Sequence, residues 1–220
     1  MKRNVDINEI SDGKLYTSED MVRIGCHDCS GCFACCQGMG TSLVLDPLDV
    51  WKIEKNLNLS FEHLLKDAFS LNVIDGIVLP NMRMEGNNER CTFLNENGRC
   101  KIHAFRPGIC RLFPLGRIYD ESGFKYFNQI YECPMGDKTK VKIKKWLGIE
   151  NLKQYEDYIN RWHRLLKDIE KLSETVEDLG ELKQLSMIIL TMFYMQIQPD
   201  QPFYQQFDSQ EKRLRSALNI

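Results

Sequence analysis

The pattern of hydrophobic and polar residues changes near residue 135 of the 220-residue chain. Before this point, short apolar runs are interrupted by glycine, proline, asparagine and aspartate, which favour turns. After it, apolar side chains recur every three to four residues over long stretches, which is typical of amphipathic helices. The pattern therefore predicts an α+β protein in which short helices and hairpins come first and a helical C-terminal part follows.

Two short helices are predicted in the first part. Asp46-Pro47 begins a helix that extends to about Leu57, because aspartate is a good N-cap and proline suits the first helical position. Ser60 is expected to cap a second helix. The apolar side of this helix consists of Phe61, Leu64, Leu65 and Phe69.

Three hairpins are predicted where apolar pairs flank turn sequences, at residues 71–79, 91–102 and 116–131. The first hairpin has Asp75-Gly76 at its turn, a dipeptide that favours a tight connection. Its second strand is expected to end at Pro80, because proline cannot donate a hydrogen bond within a sheet.

Three helices are predicted in the second part. Leu152 begins one of them, and Pro199 and Pro202 follow another at about residues 181–198. That helix is apolar on nearly all sides from 187 to 195 and should be buried. Asp208 is expected to cap a last helix. The apolar stripe of the first of these helices consists of Tyr155, Ile159, Trp162, Leu166 and Ile169.

The composition excludes some classes of partner. The net charge is -2 and the pI is about 6.1, so the chain lacks the basic field of a general nucleic-acid binder. Its most apolar run, residues 185–197, is shorter than the ~20 residues that span a bilayer. Residues 1–11 are polar and do not resemble a signal peptide. We expect a cytoplasmic protein with no nucleic-acid or membrane partner and with a protein partner or substrate that the sequence does not identify.

The chain contains nine cysteines, of which five lie between Cys26 and Cys36 and none follows Cys133. In a reducing compartment, such thiols are metal ligands or reactive groups more often than disulfides. Two-residue spacings in a turn-rich segment let several thiolates face one zinc ion or iron–sulfur cluster. The predicted metal ligands are Cys26, Cys29, Cys32, Cys35, Cys36, Cys91, Cys100, Cys110 and Cys133.

The spacing leaves the type of centre open. The cysteines of residues 26–36 reproduce a bacterial ferredoxin run, but Gln37 stands where that motif has proline. The radical-SAM pattern fails because Met39 occupies the position of its third cysteine. Adjacent side chains of an extended backbone point in opposite directions, so Cys35 and Cys36 serve one metal only if the backbone bends. Nine thiols could fill two four-ligand sites with one left over, or one site with further thiols around it.

Neighbouring polar residues have more than one interpretation. Arg106 and Arg111 could donate hydrogen bonds to sulfur and balance thiolate charge, or they could pair with carboxylates. His27 and His103 are expected to lie near the ligands or at the surface. No hydrolase, metalloprotease or nucleotide-binding motif occurs, so no catalytic residue is assigned.

Several motifs together resemble a known family. They are Cys29-x2-Cys32-x2-Cys35-Cys36, Cys91-Thr-Phe-Leu, Cys100-Lys-Ile-His103, Arg106-Pro107 and Cys110-Arg111-Leu-Phe-Pro114. This set is similar to the CxxCxxCC (YkgJ-type) cysteine-cluster family over roughly residues 25–135. The resemblance implies a zinc- or iron-chelating domain whose matched cysteines bind metal. Some longer relatives are flagellin lysine N-methylases, which implies an alternative function as a protein-modifying enzyme and, by that analogy alone, SAM as a cofactor.

We therefore predict two parts, a cysteine-cluster metal-binding domain over residues 21–135 and a helical region over 141–220, packed together as one globular unit. The expected function is that of a protein that holds an iron–sulfur cluster, zinc or both through thiolates, in a redox or accessory role.

Overall fold

A computed structural model describes residues 6–26, 32–176 and 178–220. Within these residues the chain forms eight α-helices and four two-stranded antiparallel sheets, an α+β arrangement with a helical C-terminal part. This confirms the fold class that the sequence predicts. No helix in the described ranges combines the length and the apolar character that a membrane crossing requires.

The helices are α1 (Ile7–Ile10), α2 (Pro47–Leu57), α3 (Phe61–Asp67), α4 (Gly108–Leu112), α5 (Ile143–Leu147), α6 (Leu152–Glu174), α7 (Leu179–Leu190) and α8 (Phe203–Leu218). The strands are β1 (Met21–Gly25), β2 (Phe69–Ile74), β3 (Ile77–Met82), β4 (Met84–Glu85), β5 (Arg90–Cys91), β6 (Leu115–Asp120), β7 (Gly123–Asn128) and β8 (Thr139–Lys142).

Helix α2 begins where the sequence predicts, at Asp46-Pro47. The Asp46 side chain accepts a hydrogen bond from the Asp49 backbone N–H at 3.0 Å, and the Asp49 side chain accepts from the Asp46 N–H at 3.4 Å. Helix α3 begins after Ser60, also as predicted, but it is shorter than the apolar pattern suggests. Phe69 begins β2 instead of extending the helical face, so that part of the prediction is wrong.

The hairpin of β2 and β3 turns at Asp75-Gly76, which confirms its prediction. Contrary to the prediction, its second strand does not end at Pro80 but continues to Met82. Pro80 lies opposite Leu71 of β2, and its carbonyl accepts a hydrogen bond from the Leu45 N–H, which is outside the hairpin, at 2.9 Å. The hairpin of β6 and β7 is confirmed as well. Between residues 91 and 102, by contrast, the two segments pair without forming a regular two-stranded sheet, through the bridge of Leu94 with Cys100 and hydrogen bonds from the Lys101 N–H to the Phe93 carbonyl at 2.8 Å and from the Asn95 N–H to the Arg99 carbonyl at 2.9 Å.

The pairing of β1 with β8 joins two distant segments and was not predicted. Met21 lies opposite Lys142 and Gly25 lies opposite Thr139. The pairing brings the chain just before the first cysteines against the chain just after the last one. A small core lies beneath it, formed by Val22, Ile24, Leu112, Leu115, Tyr126, Ile143 and Leu147.

The larger core contains residues from both parts of the chain. Its members include Leu45, Ile53 and Leu79 from the first part and Ile159, Leu165 and Phe207 from the second. Hydrogen bonds cross between the parts, from the Tyr194 hydroxyl to the Leu45 carbonyl at 3.0 Å and from the Val78 N–H to the Ser186 hydroxyl at 3.2 Å. The helical region therefore covers the apolar face of the cysteine-bearing part.

The last two helices differ from the sequence prediction. Helix α7 continues as a π-helical turn (Thr191–Met195), and Met187, Ile188 and Met195 are exposed, so this segment is not buried on all sides. Helix α8 begins after Pro202 rather than at Asp208. Pro202 is the N-cap of this helix, a position where its missing N–H breaks no helical hydrogen bond. Asp208 lies inside the helix and forms an ion pair with Arg161.

Candidate metal centre

Two of the predicted ligands lie next to a third because of a short backbone bridge. Cys35 and Cys36 occupy a single turn of 3-10 helix, so the backbone at this point is bent rather than extended. The next residue, Gln37, forms an antiparallel bridge with Arg90, which immediately precedes Cys91. The bridge brings the adjacent cysteine pair to the end of β5.

Two further predicted ligands reach the same place from other segments. Cys100 forms its bridge with Leu94, and Cys110 lies on α4. The Gly108 N–H donates a hydrogen bond to Asp49 Oδ1 at 2.7 Å, which fixes the start of α4 against the start of α2. We call this group the cavity thiols, namely Cys35, Cys36, Cys91, Cys100 and Cys110.

The cavity thiols influence one another electrostatically. Burial raises the pKa of Cys110 well above its ordinary value, and the charges of Asp49 and Cys91 raise it further. Burial also raises the pKa of Cys91 and that of Cys100. Because each deprotonated thiol makes deprotonation of the next one less favourable, Cys91, Cys100 and Cys110 retain their protons unless a positive charge binds beside them.

The adjacent pair shares a hydrogen bond. The Cys36 thiol donates to the Cys35 sulfur, which lowers the pKa of Cys35 to about 7 and raises the pKa of Cys36. The positive charge of Arg106 contributes to the lower pKa of Cys35. A thiolate that has a partner and a nearby guanidinium is the species that binds soft metal ions.

Other predicted ligands gather at the β1–β8 pair. Cys26 follows β1 directly and Cys133 precedes β8, and both are buried. Burial raises the pKa of Cys133, and the charges of Cys26 and Cys32 add to the effect. We call Cys26, Cys32 and Cys133 the strand thiols. Cys29 lies outside the described residues.

The donors fit a thiophilic metal in type, number and burial. The cavity thiols form no disulfide with any described residue. Within residues 6–26, 32–176 and 178–220, however, no group of three or more His, Cys, Asp or Glu side chains is arranged to hold an ion. The thiols are neighbours without forming a coordination shell, and the proton shared by Cys35 and Cys36 is one that metal binding must displace.

A cavity of about 690 Å³ lies beside the thiols. All five cavity thiols line it, and Cys32 does so too. The rest of the wall is largely apolar and includes Leu43, Leu45, Ile77, Leu79, Ile159 and Trp162. The volume lies in the range of small-molecule sites in proteins.

The two arginines of the sequence motif have different roles. Arg106 lines the cavity, contacts the His103 Nε2 atom at 2.8 Å through Nη1, and lowers the pKa of Cys35. Arg111 instead donates from Nη2 to the Ala104 carbonyl oxygen. Arg106 therefore suits the balancing of thiolate charge. Arg111 donates its hydrogen bonds to backbone carbonyls, although its charge also interacts with Cys110 and Asp49. His27 lies outside the described residues.

Residues 28–135 match the family model CxxCxxCC, whose description is "Putative zinc- or iron-chelating domain". This part of the chain belongs to the CxxCxxCC family. No curated protein and no solved structure matched the chain. The match includes every cysteine from Cys29 to Cys133 and leaves Cys26 and the helices α5 to α8 outside the CxxCxxCC domain.

Sequence reasoning missed two charged residues of the CxxCxxCC domain, Asp49 and Arg117. The sequence explains Asp49 as part of the α2 capping box, so nothing in the local pattern predicts its contact with α4. Arg117 lies between Leu115 and Tyr119 on the inward side of β6, whereas the apolar Ile118 is exposed. A cation at the inward position of an alternating strand was the available signal.

Proposed function

We propose that the CxxCxxCC domain binds zinc or iron through two groups of cysteine thiolates. The cavity thiols would hold one centre. The strand thiols would hold a second centre together with Cys29, whose spacing from Cys26 and Cys32 suits a shared ion.

One observation carries the proposal. Five thiols from four segments, namely the turn at Cys35-Cys36, β5, the residue Cys100 and helix α4, line one cavity wall, and α2, α3 and the β2–β3 hairpin separate the first segment from the other three. Buried cysteines that only fill a core do not need to face one another. These thiols interact electrostatically with Arg106, with Asp49 and with one another, and they are better explained as metal ligands.

The second group is supported by the β1–β8 pairing. Cys26 lies outside the family match, yet its charge affects Cys133 across the pair. The Lys138 side chain donates to the Cys133 carbonyl oxygen at 2.8 Å and holds this loop in place. On this basis we assign Cys26 to the same centre as Cys133.

The type of metal determines the role. A zinc ion surrounded by four thiolates has no open position for a substrate and would be structural, whereas an iron–sulfur cluster would support electron transfer. Arg106 suits either centre, because a thiolate-rich site carries negative charge that a guanidinium balances.

The test is to purify the protein anaerobically and to measure iron, zinc and acid-labile sulfide in the same sample. Cys110→Ser should lose the metal of the cavity thiols alone, and Cys133→Ser the metal of the strand thiols alone. Ser42→Ala changes a cavity-lining residue that has no thiol and should retain all the metal.

Iron with sulfide would support the redox role, and zinc alone the structural role. Wild-type protein that holds neither metal, after growth with both supplied, would contradict metal binding. If Cys110→Ser and Cys133→Ser removed the same metal, the division into two centres would be wrong.

A further inference from the structure

Arg117 is a charged side chain in the cavity wall that the thiols do not explain. Its Nη2 atom donates to the Tyr155 hydroxyl at 3.1 Å. The guanidinium carbon lies 5.1 Å from the ring centre of Phe124 and 5.6 Å from that of Tyr155. Its Nε–H is buried and has no hydrogen-bond partner in the described part of the chain.

No carboxylate forms an ion pair with Arg117 among the described residues. The two buried carboxyls of the α2 capping box are already committed to other donors. Asp46 accepts from Asp49 N–H and from the Tyr158 hydroxyl, and Asp49 accepts from Gly108 N–H. The charge of Asp46 interacts with Arg117, but Tyr155, which accepts the hydrogen bond of the guanidinium, is neutral and one buried donor is unused, which is costly for a buried cation.

An anion from outside the chain would remove this cost. A guanidinium offers two parallel N–H groups that match a carboxylate, and such charge-assisted hydrogen bonds are among the strongest in proteins. The remainder of the cavity wall is apolar over several side chains, including Leu79, Ile159 and Trp162. The cavity therefore suits a ligand that carries one acidic group on an apolar body.

We propose that the cavity binds a small organic anion, with its carboxylate at Arg117 and its apolar body along the apolar wall. This inference does not depend on metal binding, because none of these contacts involves a thiol. Arg106 has a buried Nε–H without a described partner as well, but the neighbouring Cys35 supplies the negative charge that it faces.

Octanoate is the probe, and octanol and octylammonium are its neutral and cationic counterparts of the same length. We expect isothermal titration calorimetry to show that octanoate binds the full chain at least ~10-fold more tightly than octanol, with no binding of octylammonium. Arg117→Met retains an apolar stem and should weaken octanoate binding by about 10- to 100-fold while leaving octanol unchanged. Arg164→Met removes an exposed arginine from α6 and should have no effect.

Leu166→Trp provides an independent variant, because Leu166 lines the cavity and the larger side chain would reduce its volume. It should weaken octanoate and octanol alike, and it remains informative if Arg117→Met fails to fold. Equal affinity of the wild-type protein for octanoate and octanol would overturn the proposal. So would no octanoate binding at millimolar concentration, or undiminished octanoate binding by folded Arg117→Met or by Leu166→Trp.

Discussion

The Glu54 carboxyl, on α2, opposes folding when it is ionised. Its residue is 7% exposed, and burial raises its pKa from the ordinary 4.5 to about 7, although the Phe61 N–H partly offsets the shift. Between these two pH values the folded chain holds the proton more strongly than the unfolded chain does. The free energy of unfolding therefore falls as the pH rises through this range.

Glu54→Gln should remove that dependence, because the amide is neutral and can still accept the Phe61 hydrogen bond. We expect the variant to be more stable than the wild type at pH 8, by about 1–2 kcal/mol, and to lose this advantage near pH 4.5. Urea unfolding at both pH values measures the difference. The exposed Glu174→Gln, on α6, is the matched control and should change stability by less than ~0.5 kcal/mol. A Glu54→Gln protein less stable than the wild type at pH 8 would contradict the explanation.

At the scale of single residues, the sequence predicts that the cysteines form a metal site, but it does not predict which charged residues lie around them. Closely spaced cysteines beside glycine and serine indicate metal chelation, and the family match supports that prediction. The sequence does not predict the burial of Arg117, because a lone arginine in a strand gives the same pattern whether it faces solvent or a cavity. Burial of a charge depends on what packs against the strand, and that information lies elsewhere in the chain.

Helix α4 is one element whose position depends on a missing side chain. Gly108 lies so close to Tyr155 that a Cβ atom at this position would overlap the Tyr155 hydroxyl oxygen. The same glycine donates its N–H to Asp49 at 2.7 Å. Any displacement here moves Cys110, which is on the same short helix.

Gly108→Ala should therefore destabilise the protein by about 1–3 kcal/mol, as is usual when an extra methyl group is forced into a packed interior. On the proposed assignment it should also reduce the metal held by the cavity thiols. Thermal unfolding and metal content of the same sample measure both effects. Tyr155→Phe in the Gly108→Ala background removes the overlapping oxygen and should recover part of the stability, relative to Tyr155→Phe alone. An additive double variant would mean that the overlap is not the cause.

The predicted elements succeed where the signal is local. The Asp46-Pro47 start of α2 and the Asp75-Gly76 turn are both set by neighbours in sequence, and both are confirmed. The β1–β8 pair depends on residues more than a hundred positions apart, for which the local pattern contains no register. At Asp208 the local signal itself is misleading. Aspartate is a good capping residue, yet the helix begins earlier, after Pro202.

At the scale of the whole molecule, the two parts of the chain share one core. Phe61 stacks on Tyr194 with ring centres 5.7 Å apart, and Tyr158 of α6 donates to Asp46 of α2 at 3.0 Å. The division into a domain over 21–135 and a helical region over 141–220 describes the sequence pattern. It stays a prediction as a division into folding units.

A chain truncated after Gly148 tests this point. It retains β8 and α5 and with them the small core, but it loses α6 to α8, so apolar residues of α2 and β3 become exposed. We expect no cooperative urea transition and no near-ultraviolet circular dichroism signal from the truncated chain, in contrast to the full chain. A cooperative transition of the truncated chain would mean that the cysteine-bearing part folds independently.

A stretch on the order of 50 residues separates Cys36 from Cys91, the next of the cavity thiols along the chain. An ion that holds both ends of such a stretch restricts the unfolded chain as a cross-link does, which corresponds to about 4 kcal/mol for a loop of this size. Proteases degrade the unfolded population, so the lifetime of the protein in the cell would follow metal supply. On the proposed assignment, metal starvation lowers the abundance of the protein without any change in transcription.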